Sequence, residues 1–135
     1  MKEAYLEHAN ITVSNPDATA SILCNIFDWQ VRWSGEAMDN GYTVHVGGAD
    51  SYLAIYTNDQ VSAAASNGFK TIKNLNHLGI IVDDLALIEA RVLAAGYKPH
   101  NHRHYQNEES NSKPSSNFYF HIIDDLEIEV IHYNN

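Results

Sequence analysis

A single cysteine, Cys24, stands in a chain of 135 residues, so no disulfide can close within it. Positive charge is scarce as well. Eight Lys and Arg face 17 Asp and Glu, for a formal net charge of −9, and the basic residues are scattered singly instead of gathering in a patch. Such a surface repels phosphate backbones and anionic lipid headgroups, so neither nucleic acid nor membrane is expected as a partner. Long apolar runs are missing too. Nothing approaches the roughly 18 residues of a membrane span, and Met1 leads into Lys2-Glu3-Ala4-Tyr5 without the apolar core of a secretory leader, so a cytoplasmic location is expected. What is present is an ordinary globular composition, 44% hydrophobic. A chain of this length suits one domain, able to bury about two thirds of its unfolded surface without disulfides or a structural metal.

Periodicity divides the chain into elements. Tyr5 to Val13 alternates Tyr5, Ala9, Ile11 and Val13 against Leu6, His8, Asn10 and Thr12, which predicts a strand. Ser14-Asn15-Pro16-Asp17 is turn and cap chemistry, and Ala18 to Phe27 places Ile22, Leu23, Ile26 and Phe27 on one helical stripe. Strands are expected at Gln30 to Trp33, Gly41 to Gly47 and Tyr52 to Thr57. The unit reads β-α-β-β-β.

The second half repeats this grammar. Leu6, His8, Ile11 and Val13 recur as Leu75, His77, Ile80 and Val82 at a constant offset of 69. Asp83-Asp84 then offers a cap, Leu85 to Ala95 a helix with Leu85, Ile88 and Val92 inward, and Gly96 a stop. Phe118 to Ile123 and Leu126 to Tyr133 close the half as strands. The expected organisation is a single α+β domain over residues 1–135. Module one runs from about 4 to 57, a connector rich in small residues from about 58 to 73, and module two from about 74 to 133. The polar segment Gln106 to Ser116 is expected to be a mobile loop, of the kind that can act as a lid.

Strand parity singles out three residues. His8 and His77 hold equivalent places in the two first strands, and in the closing strand Glu127, Glu129, Ile131 and Tyr133 form one row. Two imidazoles and one carboxylate on the face away from the helices suit Zn, Mn, Ni or Fe(II) and leave positions open for water or substrate. Glu127 shares the parity of Glu129, but position relative to Val130-Ile131-His132-Tyr133 favours Glu129.

Two such modules, each opening on a histidine-bearing strand, with the endings Phe27-Asp28-Trp29 and Ala94-Ala95-Gly96-Tyr97 and the closing Glu127-Ile128-Glu129-Val130, resemble the vicinal oxygen chelate superfamily. Its members include glyoxalase I, fosfomycin-resistance proteins, extradiol dioxygenases and bleomycin-resistance proteins. The resemblance runs from about Leu6 to Tyr133. It implies two modules whose mixed sheets form a cup with helices outside, a divalent metal held by His8, His77 and Glu129, and a homodimer. The function it implies is a metal-dependent lyase, isomerase or dioxygenase that chelates a small oxygenated molecule through two oxygens. The alternative is a metal-free protein that sequesters a small ligand between aromatic walls, as bleomycin-resistance proteins do.

Candidate acid/base groups are Glu129 itself, His45, His121 and Tyr119, the last lying ten residues before Glu129 as an acid/base tyrosine does in extradiol dioxygenases. His100, His102 and His104 are expected to alternate onto one face of a solvated strand edge, and Tyr52 and Tyr56 to line a wall. Cys24 carries no assigned chemistry. Fosfomycin-resistance enzymes carry a basic residue shortly after their last glutamate. Here Glu129 is followed by Val130-Ile131-His132-Tyr133-Asn134-Asn135, which disfavours a phosphonate. Glyoxalase I also needs a carboxylate or amide on the last strand of module one. The counterpart of Glu129 there is expected to be Ala54, which argues against that isomerisation.

Overall fold

The computed structural model describes residues 2–63, 68–106 and 113–134. Contacts divide the chain into two units, residues 1–63 and 64–135. In the first, β1 (His8–Thr12), α1 (Pro16–Phe27), β2 (Gln30–Ala37), β3 (Gly41–Gly47) and β4 (Tyr52–Thr57) follow in order, and the sheet is four-stranded with order β1-β4-β3-β2. β1 runs parallel to β4, and the other pairings are antiparallel. The second unit repeats this with β5 (Leu78–Ile81), α2 (Leu85–Ala94), β6 (His100–Tyr105), β7 (Ser115–His121) and β8 (Glu127–Tyr133), in sheet order β5-β8-β7-β6. The fold class is therefore α+β, two β-α-β-β-β modules, each a mixed sheet with one helix packed on it. Among the described residues no helix is long and apolar enough to cross a membrane.

Local chemistry starts and stops the helices. The Asn15 side chain accepts from the Ala18 amide at 3.1 Å and Pro16 occupies the first turn, where its missing N–H costs nothing. Asp84 caps α2 in the same way, accepting from Leu87 N at 3.0 Å. Asp28 ends α1 in the left-handed region, and Gly96, at φ 90°, follows α2 where a side chain would be strained.

The two cores distribute their bulk differently. In the first unit α1 buries Leu23, Ile26 and Phe27 against Val44 and Val46 of β3 and Leu53 and Ile55 of β4. In the second, α2 buries only Ile88 and Val92, and the sheet compensates with Phe118 and Phe120 of β7 beside Ile128 and Val130 of β8.

Several boundaries differ from those read off the sequence. The first strand begins at His8 and not Tyr5, β2 extends to Ala37, and β7 already starts at Ser115, so Ser115 and Ser116 belong to the sheet and not to a loop. Of the loop expected to act as a lid, residues 107–112 lie outside the described residues, as do residues 64–67 of the connector.

Candidate metal centre

β7 and β8 run antiparallel with Tyr119 opposite Glu129 and His121 opposite Glu127. Because successive side chains alternate, Phe118, Phe120, Ile128 and Val130 take the face covered by α2, while Asn117, Tyr119, His121, Glu127 and Glu129 take the other. His77 stands immediately before β5, whose parallel register on β8 sets Gly79 beside Glu129.

This brings His77 and Glu129 together. Nε2 of His77 lies 3.1 Å from Oε1 of Glu129, and Nδ1 of His77 lies 2.6 Å from the side-chain oxygen of Asn76. Asn117, buried beneath, donates from Nδ2 to Oε2 of Glu129 at 2.6 Å, and the side chain of Glu129 is only 17% exposed. With Nδ1–H given to Asn76, a neutral His77 ring turns an acceptor nitrogen toward an acceptor oxygen. Such a contact calls for a shared proton or a cation between them. Ligand atoms about 3.0–3.4 Å apart are what an ion with bonds of about 2.0–2.2 Å requires, so the separation fits a metal edge. Gly79 lies beside the carboxylate, and a methyl group there would meet Oε1 at 3.9 Å, an ordinary contact distance.

Tyr119 completes this part of the face. Its ring meets His77 edge-on at 5.5 Å, and burial first, then the Glu129 charge, pushes its hydroxyl pKa above the ordinary value. Tyr119 therefore keeps its proton at neutral pH and can donate it to a developing oxyanion.

In the first unit, His8 is placed alike. Its Nδ1 is held 2.9 Å from Glu7 Oε1, so in both repeats the histidine's inner nitrogen is bound by the side chain of the residue just before it, leaving Nε2 available. The Glu7 carboxylate is lowered chiefly by that hydrogen bond. The His8 ring stacks on Tyr52 at 4.8 Å, Tyr52 stacks on His45 at 4.8 Å, Trp33 meets His45 edge-on, and the Arg32 guanidinium lies 4.5 Å over Tyr52. Burial first, then the charges of His8 and Arg32, lowers the pKa of His45. On β4, Ala54 pairs with Asn10 of β1, as Glu129 pairs with Gly79 of β5. Ala54 is thus the counterpart of Glu129, and no carboxylate stands there.

The sequence reading thus meets a mixed outcome at its other histidines. His121 and Glu127 are neighbours, 3.4 Å apart, and Glu127 does not approach His77 as Glu129 does. The expectation that His100, His102 and His104 share one face is wrong. A bulge between His100 and Arg103, with Asn101 at φ 54°, turns His100 onto the face of Tyr119, whereas His102 stacks on Phe118 and contacts Glu89 of α2. Asn76, Glu7 and Asn117 were missed. The repeat offset could have found the first two, since Glu7 and Asn76 coincide at the same spacing as the histidines.

No family profile matches the sequence, and no curated protein does. Solved structures do resemble it. A glyoxylase/bleomycin resistance protein/dioxygenase domain from Frankia sp. EAN1pec is similar at TM-score 0.77 and 18% identity, over 98% of this chain and 100% of that one. A fosfomycin resistance protein from Listeria monocytogenes, solved with Mn(II) and sulfate, is similar at TM-score 0.67 and 16% identity, over 98% and 93%. Glyoxalase I of Leishmania major is similar at TM-score 0.70 and 16% identity, over 96% and 87%. These are vicinal oxygen chelate proteins, and the chain has their fold. At such identities the likeness speaks to fold and leaves the reaction to the site.

Proposed function

We propose that the protein is a metal-dependent enzyme acting on a small oxygenated molecule, with His77 and Glu129 as two ligands of a divalent cation and His8 as the third, in a homodimer. The observation that carries this reading is the 3.1 Å approach of Nε2 of His77 to Oε1 of Glu129 while the side-chain oxygen of Asn76 lies 2.6 Å from the other ring nitrogen. An outer hydrogen bond that fixes the tautomer of a histidine is the usual companion of metal ligation. Glu7 offers the same to His8. The Mn(II) in the fosfomycin-resistance neighbour adds support for a metal on this fold, although the run after Glu129 carries no basic residue for a phosphonate.

When bound, the ion supplies Lewis acidity toward two adjacent oxygens of the substrate. The protein's own groups do the rest. Asn117 locks the Glu129 carboxylate, and Tyr119, kept protonated by burial and by Glu129, donates toward an oxyanion formed on the substrate. A carboxylate base on the first unit's last strand is absent because Ala54 stands there, so the two-sided proton transfer of glyoxalase I is not part of this reading. His45 is a further acid/base candidate, held against the Tyr52 ring.

A second reading, metal-free capture of a flat ligand, draws on the partly buried ring stack of His8, Tyr52 and His45 with Arg32 above it. Titration of chelator-treated, tag-free protein with Zn²⁺ decides between them. His77→Ala and Glu129→Gln should each remove one bound equivalent per chain. Folded variants that both keep the wild-type stoichiometry and affinity would overturn the metal reading.

A further inference from the structure

A second cluster of donors lies one step along the same sheet. His100 opens β6, His121 ends β7 and Glu127 begins β8, so three adjacent strands deliver their side chains to one end of one face. One ligand atom from each can be chosen so that all lie within 4.8 Å of one another, and all three residues are half-buried. Nε2 of His100 is 3.3 Å from Nδ1 of His121, and Nε2 of His121 is 3.4 Å from Oε2 of Glu127. The two imidazoles stack within 11° of parallel. We infer that His100, His121 and Glu127 form a second divalent-cation site, separate from His77 and Glu129.

Three features argue for a ligand here beyond the proximity of polar groups. A tetrahedral ion with bonds of about 2.0–2.1 Å spaces its donors about 3.4 Å apart, the distance already held by His100 and His121. The third donor has to shift, because one imidazole cannot give both of its nitrogens to the same ion, and one atom from each residue already lies within 4.8 Å of the others. The Glu127 side chain is just 13% exposed, and its ion-pair contact is His121 at 3.4 Å. A carboxylate with this little exposure, paired through one long contact, is well placed to take a cation as a closer countercharge. Finally, His100 reaches this face only through the bulge. Without the extra residue at Asn101, held at φ 54°, parity would send His100 to the side of His102 and His104. The bulge thus aims one imidazole at another.

Two nitrogens and one oxygen suit zinc, cobalt or nickel better than calcium or magnesium, which favour all-oxygen shells. The half-exposed surroundings leave at least one coordination position to water or to an anionic ligand.

The test is run in the Glu129→Gln background, so that it stands whether or not the His77 site is real. Chelator-treated protein is titrated with Zn²⁺ alone, and Co²⁺ absorption reports the donor set. The Glu129→Gln chain should bind one equivalent. Adding His100→Ala or Glu127→Gln should weaken that binding by at least about tenfold, the loss expected even for an outer-shell partner. Adding His102→Ala and His104→Ala together should leave it within about threefold, because those rings face α2's side of the sheet. In wild-type protein, imidazole ¹⁵N resonances of His100 and His121 should move on zinc addition, which settles the question even if a variant does not fold. Failure to bind, retention after His100→Ala, or loss confined to the His102 and His104 variant would overturn the assignment.

Discussion

Asn10 and Gly79 stand at equivalent places in the two units, and so do their strand partners Ala54 and Glu129, yet only the second pair carries a carboxylate. The same contrast runs along each helix-free face. The first unit stacks His8, Tyr52 and His45 beneath Arg32, with Glu7 at the edge, an aromatic surface. The second gathers Glu127 and Glu129 with His77, His100 and His121, a surface of metal donors. A repeat can hold its backbone plan and core parity constant while the outward row, which packing does not dictate, specialises.

The covered faces differ as well, and there the largest effect is expected. Bulk sits in the helix of the first unit and in the sheet of the second, where Phe118 and Phe120 are fully buried and α2 buries only Ile88 and Val92. Phe118→Ala should lower stability by about 3–5 kcal/mol, measured by urea unfolding. Val44 is its equivalent in the first unit, opposite Ile55 as Phe118 is opposite Val130. Val44→Ala removes less volume and should cost clearly less. Equal losses would mean that the two cores share their load alike and that the volume exchange between layers is not a real distinction.

A middle-sized effect sharpens the contrast between the outward faces. Asn117→Ala removes the donor that fixes Oε2 of Glu129 at 2.6 Å. Zinc affinity at the His77 and Glu129 pair should fall about 10- to 100-fold, the usual cost of losing an outer-shell hydrogen bond, with stoichiometry unchanged. An unchanged affinity would reduce Asn117 to a buried residue satisfying itself on a convenient carboxylate.

The sequence made much of this legible, and the reason differs from residue to residue. His8, His77 and Glu129 emerged because an offset of 69 and a two-residue period are visible without any structure. The identity of Ala54 as the counterpart of Glu129 followed from the same parity, and the pairing of both with equivalent strand residues agrees. His100 was misread because a bulge inverts parity and leaves no mark in an alternating His-Asn-His-Arg-His string; only the readiness of Asn101 for positive φ hinted at it. Asn117 was passed over since a lone asparagine in a strand gives no sign of which neighbour its amide will reach across the sheet.

The smallest expected effect tests the first unit's face by pH. His45 is wedged between the Trp33 edge and the Tyr52 ring, and burial first, then His8 and Arg32, lowers its pKa below the ordinary 6.5, with Glu7 opposing. The unfolded chain takes up this proton near 6.5, whereas the folded chain takes it up only at lower pH. Between those two values the unfolded state binds more protons, so stability rises with pH across the window. The contribution of a neutral His45 is therefore complete above about pH 6.5 and is lost as pH falls through the lowered value. Solvent reaches the ring, so the effect is screened and small. Urea midpoints recorded every half unit from about pH 7.5 to 5 should fall slightly less steeply on acidification in His45→Gln than in the wild type. Identical slopes would mean that the ring stack does not hold His45 neutral and that its aromatic character, not its charge state, is what the first unit's face preserves.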